Sequence, residues 1–208
     1  MAKEKLQTIP KITKMKVRIT LIEDILGTLP GDPEVYKSYI ASKAPEGKDI
    51  SDEIEAIGQD GVYEKGMTVF IRDMDGKPCI FDYLIKGFFK NAANALNNAD
   101  GVTKLTAYKR KIDNLVFVGP RFIELKYNNI GDMSVCERPL RASTPQGERV
   151  ALACSESIPA GTTFDIDIEC LNAEMMEYVR SWLDYGKWNG LGQWHNSGKG
   201  RFTWEEIK

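Results

Sequence analysis

Lys86 and Lys90 stand four residues apart, with Gly87 between them, inside the longest amphipathic run of the chain. That spacing puts both ammonium groups on one helix face, and a glycine beside them lets a ligand come close to the backbone. Such a face can hold phosphates. It can equally be the solvated side of an amphipathic helix. Gly87 adds weight to the first alternative, because glycine inside a helix costs about 1 kcal/mol relative to alanine.

A second concentration of chemistry lies at residues 190–201, where Gly190, Gly192, Gly198 and Gly200 are interspersed with Gln193, Asn196, Ser197, Lys199 and Arg201. Glycine-rich backbone can turn its N–H groups toward an anion while Lys and Arg supply counter-charge. The order Gly-Lys-Ser/Thr of a nucleotide-binding loop is missing, and the segment runs from a helix into a strand, the reverse of that connection. A long flexible connection is the alternative. Trp188 and Trp194 can stack bases or serve as lids on the core. A third segment, read as a loop or flap over residues 128–150, carries Arg138, Arg141 and Arg149. It suits contact with a sugar-phosphate backbone, or a plain surface loop.

Catalytic and metal chemistry finds little support. His195 is the sole histidine, and no Ser or Cys occupies a nucleophile elbow. Asp73 and Asp75 begin like a calcium loop, but Lys77-Pro78 interrupts it and the distal Glu is missing, so a turn is expected. Cys79, Cys136, Cys154 and Cys170 form no Cys-x-x-Cys pair and lack a credible zinc set. The expectation is a non-catalytic protein without cofactor or metal.

A length of 208 residues with 42% hydrophobic and 10% aromatic residues fits one domain with a sizeable core. Lys and Arg total 28 against 30 Asp and Glu, so bulk charge neither demands nor excludes a nucleic acid. The distribution is uneven: residues 1–14 form a basic lead-in, residues 104–126 hold six bases, and the stretch from 43 to 64 is acidic. No run of about 18 apolar residues is present and the N-terminus is too polar for a signal peptide, from which a cytoplasmic protein with reduced thiols is expected.

The elements that must position these residues follow from periodicity. Val17, Ile19 and Leu21 alternate with polar residues as in a half-buried strand, and residues 164–170 do the same. Strands are predicted at 67–71 and 79–81 around an Asp75-Gly76 turn, and at 115–118, 149–154 and 202–204. Asp82 is the expected cap of a helix with Leu84, Ile85, Phe88, Phe89, Ala92, Ala93 and Leu96 on one face, and Asn172 of a second with Met175, Val179, Trp182 and Leu183. Residues 33–66 read as an acidic, partly helical insertion. The order predicts an α+β fold, a ferredoxin-like or RNA-recognition-motif-like β-α-β-β-α-β core with two helices on one face of an antiparallel sheet, as a single domain over 1–208.

The order of these pieces resembles the RAMP superfamily, the backbone subunits of CRISPR effector complexes, especially type III. The resemblance rests on Leu26-Gly27 to Gly31-Asp32 after the first strand, Asp75-Gly76-Lys77-Pro78 ahead of Ile85-Lys86-Gly87, Pro159-Ala160-Gly161-Thr162 at a strand entry, and the terminal glycine-rich loop. It implies a ferredoxin-like core that binds guide RNA along its backbone and stacks into oligomers. Carried over, Lys86, Gly87, Lys90, Arg141, Gly192, Gln193, Asn196, Ser197, Lys199 and Arg201 are the candidate nucleic-acid-binding residues. Two departures stand out. Phe81-Asp82-Tyr83-Leu84-Ile85 replaces the family's small residues before Lys-Gly, and Glu64-Lys65-Gly66 stands where cutting members carry an aspartate, so no nuclease activity is expected.

The chain also resembles solitary phage-encoded proteins of this kind. Three functions follow: a non-catalytic protein binding single-stranded RNA; a phage-borne mimic that inhibits or decoys a host CRISPR complex through protein contacts; or a single-stranded DNA binder in phage replication. The partners implied are single-stranded RNA or DNA, further copies of the chain, and CRISPR effector subunits.

Overall fold

A computed structural model of the chain describes residues 11–31, 67–127, 132–144 and 147–208. The basic lead-in up to residue 10, the acidic insertion at 33–66 and Glu64-Lys65-Gly66 lie outside the described residues.

The central layer is a four-stranded sheet built from β1 (Thr13–Leu21), β7 (Val116–Gly119), β11 (Thr163–Cys170) and β12 (Phe202–Ile207), in the order β12-β1-β11-β7. Every neighbouring pair is antiparallel. Alternation does what the sequence leads one to expect: Met15, Val17, Ile19 and Leu21 of β1 and Phe164, Ile166, Ile168 and Cys170 of β11 are all buried on one side. Two helices cover that side. Helix α1 (Asp82–Asn97) buries Ile85, Phe88, Phe89, Ala92 and Ala93, and α3 (Ala173–Tyr185) buries Met175, Met176, Val179, Trp182 and Leu183. They meet through Phe89 and Trp182, whose ring centroids are 5.6 Å apart, while Phe88 lies 5.1 Å from Phe202 of β12. Burying each such large apolar side chain contributes about 1.5–3 kcal/mol. The side chain of Asn172 caps α3 by accepting the Glu174 N–H at 2.9 Å.

Two smaller sheets flank this layer. One runs β2 (Ile25–Leu26), β10 (Gly147–Ile158), β4 (Thr68–Val69), β3 (Leu29–Pro30), with β9 (Ser134–Thr144) also on β10. The other runs β5 (Ile71–Arg72), β6 (Pro78–Phe81), β8 (Phe122–Glu124).

Four expectations change. The strand expected at 67–71 is split around buried Phe70, its halves β4 and β5 serving different sheets. The loop or flap expected over 128–150 is, where described, a long hairpin whose register runs from Thr144↔Gly147 to Ser134↔Ser157; Pro139 is tolerated because β9 pairs on one side only. Phe81, not Asp82, is the α1 cap; Asp82 opens the helix and its Oδ1 accepts the Tyr83 N–H at 2.8 Å. Helix α2 (Tyr108–Leu115) was not expected at all: its sole buried residue is Ile112, which leaves no apolar stripe to read. The Asp75-Gly76 turn is as expected, with Asp73 Oδ1 accepting the N–H groups of Asp75 and Lys77 at 2.9 and 2.8 Å and Gly76 at φ 77°.

Candidate nucleic-acid interface

Opposite the helices, the four-stranded sheet has an open face. In RNA-recognition motifs that face carries aromatic side chains on which bases stack. Here the two central strands put Lys14, Lys16, Arg18 and Thr20 against Glu169, Asp167, Asp165 and Thr163. Lys14 binds Glu169, Arg18 reaches both carboxylate oxygens of Asp165 at 2.8 and 3.1 Å, and Lys126 adds a contact at 3.0 Å. The Arg18 hydrogen bond is the main reason the Asp165 carboxyl is held down at about 2, against a smaller upward push from burial. This face is an acid–base ladder without a stacking surface on its central strands.

The helical candidates are in place but engaged. Lys90 Nζ lies 2.7 Å from Asp113 Oδ1, and Lys86 Nζ donates to the Asp113 carbonyl at 3.4 Å while sitting 5.3 Å above the Phe117 ring. Gly87 is exposed, and a Cβ added there would meet nothing within 4 Å, so close packing does not require the glycine.

The glycine-rich loop is closed rather than cradle-like. A Cβ at Gly190 would come within 2.1 Å of the Lys199 carbonyl oxygen, and at Gly200, with φ 69°, within 2.1 Å of the Leu191 oxygen. These glycines serve chain crossing. The N–H groups of Ser197 and Gly198 are used by carbonyls of Trp194 and His195, and Gly200 N–H donates to Asp24 at 2.7 Å. Lys199 pairs with Asp24 at 2.9 Å and Arg201 with Glu23 at 2.7 Å, so both expected phosphate ligands anchor the loop to the end of β1. Asn196 and Ser197 are exposed in a single 3-10 turn, and Gly192 abuts the Leu26 carbonyl. Gln193 Oε1 accepts from Arg138, a residue only 6% exposed whose guanidinium lies 5.1 Å over the Trp194 ring and leaves Nη1 without a hydrogen bond. The structure thus brings Gln193 to the hairpin base, apart from Lys86 and Lys90 on α1. Arg141 sits in β9 opposite Val150.

A surface that the spacing of residues did not reveal lies where β6 enters α1. Register pairs Phe81 with Phe122, their rings 5.2 Å apart, and Tyr83 stacks on Phe81 at 5.1 Å and 19°. The Arg121 guanidinium covers both, 5.1 Å from Phe81 and 5.4 Å from Tyr83, and is tied to Asp82. Phe122 is 50% and Tyr83 46% exposed. The departure Phe81-Asp82-Tyr83 was the available signal; the third ring required the β6–β8 pairing. Chemically, the rings with their guanidinium form a platform for planar π systems. The Asp82 carboxylate meanwhile lies at the α1 N-terminus, where an anion would otherwise sit.

Among the described residues no group of three or more His, Cys, Asp and Glu is placed to hold a metal ion, and no helix is long and apolar enough to cross a membrane. All four cysteines are free thiols, with Cys170 pushed up to about 11 by burial.

No known protein-family pattern matches the chain, and no curated protein is detectably similar to it. Its fold is similar to that of a chain in the type III-B Cmr-beta complex bound to cognate target RNA, with a TM-score of 0.52 and 12% identity over 95% of this chain and 60% of that one. This chain therefore spans 60% of that subunit's length. Cmr6 from Pyrococcus furiosus aligns over 93% of this chain and 98% of its own, at a TM-score of 0.45 and 11% identity. The chain has a mixed α+β fold of three helices and mostly antiparallel sheets among the described residues, similar to that of the matched chain of the Cmr-beta complex.

Proposed function

We propose that this protein is a non-catalytic binder of single-stranded nucleic acid, with RNA as its ligand, built on a ferredoxin-like core. The strand order β12-β1-β11-β7, with α1 between β1 and β7 and α3 between β11 and β12, supports that description of the core. The observation that carries the binding is the exposed platform of Phe81, Tyr83 and Phe122 under Arg121. Bases of any identity have a π face, and each stacked base contributes about 1–3 kcal/mol. RAMP-like fold adds a prior, not a function. Fluorescence anisotropy with a 20-nucleotide oligouridylate tests it. Phe122→Ala is expected to weaken binding roughly 5- to 150-fold. Binding that is unchanged in Phe122→Ala and Tyr83→Ala overturns the assignment.

A second reading, contact with a subunit of a CRISPR effector complex as inhibitor or decoy, is favoured by one observation. Lys90, Lys199 and Arg201 are satisfied within the protein, which lowers their value to a polyanion, while exposed aromatic and Arg side chains also suit a protein interface. Stable co-elution with a purified effector subunit, blocked by Phe122→Ala and untouched by RNA, selects it.

A further inference from the structure

Several cations on the described surface are matched by carboxylates: Lys14 with Glu169, Arg18 with Asp165, Lys199 with Asp24, Arg201 with Glu23. Single residues such as Lys11 and Lys16 are not, and one cluster is not either. Lys104, Lys109, Arg110 and Lys111 have no ion-pair partner and no side-chain hydrogen bond among the described residues, and the first three are exposed. Lys104 lies in the irregular segment before α2 and the other three in its first turn.

Their position works against the helix that carries them. The first turn is the positive end of the helix dipole, where Asp or Glu stabilises and Lys or Arg does not. Helix α2 has no acidic residue there, no capping side chain, and Ala107 at φ 52° in the cap position. The nearest acid on the same helix, Asp113, stands four residues after Lys109, a spacing suited to pairing. It is held 2.7 Å from Lys90 instead. Lys90 thereby keeps Asp113 occupied and leaves Lys109 unpaired. A segment that breaks local rules without structural gain is a candidate for function.

The helix is nonetheless firmly seated. Ile112 is fully buried, Tyr108 Oη donates to Asn94 Oδ1 at 3.0 Å, and Asp113 ties α2 to α1. The cations therefore project from a fixed support. Consecutive side chains of a helix point about 100° apart, so Lys109, Arg110 and Lys111 do not converge on one point as the donors to a single phosphate would; they spread positive charge around the start of α2, and the ligand that matches such a spread carries several phosphates. We infer that Lys104, Lys109, Arg110 and Lys111 form a track for a phosphodiester backbone. The inference rests on the nucleic-acid reading and deepens it, moving the electrostatic contact from Lys86 and Lys90 to α2.

The test is the salt dependence of binding to a 20-nucleotide oligouridylate and, in parallel, to inorganic polyphosphate, for wild type and for the variant with Lys104→Gln, Lys109→Gln, Arg110→Gln and Lys111→Gln. Each phosphate-neutralising cation adds about 0.7 to the logarithmic slope for a single strand, so the slope is expected to fall by about 2–3. The variant should keep the wild-type melting temperature or exceed it, since it removes cations from the positive end of a helix. An unchanged slope with oligouridylate overturns the track and leaves the RNA reading standing. Binding to polyphosphate that the variant loses, without any binding to oligouridylate, shows that the four cations take a phosphoanhydride chain, and overturns both the phosphodiester track and the RNA reading. No binding to either overturns both.

Discussion

Residues 11–18 and 104–111 each place four basic residues in a stretch of eight, and the fold treats the two stretches in opposite ways. On β1 the two-residue period brings Lys14, Lys16 and Arg18 to one face, and antiparallel register with β11 sets Glu169, Asp167 and Asp165 opposite them. On α2 nothing acidic crosses over: its own Asp113 is bound to Lys90. The meaning of a basic run is set by the strand or helix that ends up beside it. The sheet face, which in RNA-recognition motifs carries the bound strand, here ties Lys14 and Arg18 to acids across the strands, while α2 presents unpaired cations and the β6–α1 junction presents exposed rings.

The largest disturbance of this contrast reverses the ladder. Replacing Asp165, Asp167 and Glu169 together by Lys puts like charges directly opposite and is expected to lower the melting temperature by roughly 3–8 °C. It should also give the sheet face an affinity for oligouridylate that the native protein lacks there, read as a steeper salt slope. A slope that does not change would mean that the ladder does not control where a polyanion binds.

Acid titration sharpens the same contrast. Asp165 is lowered from 3.8 to about 2 in the folded chain, so its contribution to stability is complete above about pH 4 and is lost as pH falls toward 2. Wild type is therefore expected to lose thermal stability across that window more steeply than Asp165→Asn. Parallel curves for the two proteins would show that the Arg18 pairing carries no stability.

The smallest expected effect falls on a residue that attracts attention in the sequence. Lys86→Gln should change oligouridylate affinity less than about threefold, because its side chain already donates to the Asp113 carbonyl and lies over the Phe117 ring. A loss of tenfold or more would return the electrostatic contact to α1.

Much of the fold was legible. The strict alternation of residues 164–170 and the three-four spacing of Phe88, Phe89, Ala92 and Ala93 are local signals, and β11 and α1 follow them closely. What escaped is what no local signal encodes. Helix α2 buries Ile112 alone, and β9 is strand because it pairs along β10, the strand expected at 149–154. The site was less legible still. Lys199 is neutralised by Asp24, 175 residues away in sequence, and the third ring of the aromatic platform is supplied by strand register. Spacing found the cations but could not say which of them were already matched.

Lysine footprinting puts the two basic stretches side by side in one experiment: acetylation of the free protein and of the protein with oligouridylate, mapped residue by residue by mass spectrometry. Lys104, Lys109 and Lys111 are expected to become protected on binding while Lys14 and Lys16 react at the same rate with or without the nucleic acid. Protection of Lys14 and Lys16 with α2 unaffected would contradict the account and place the strand on the sheet.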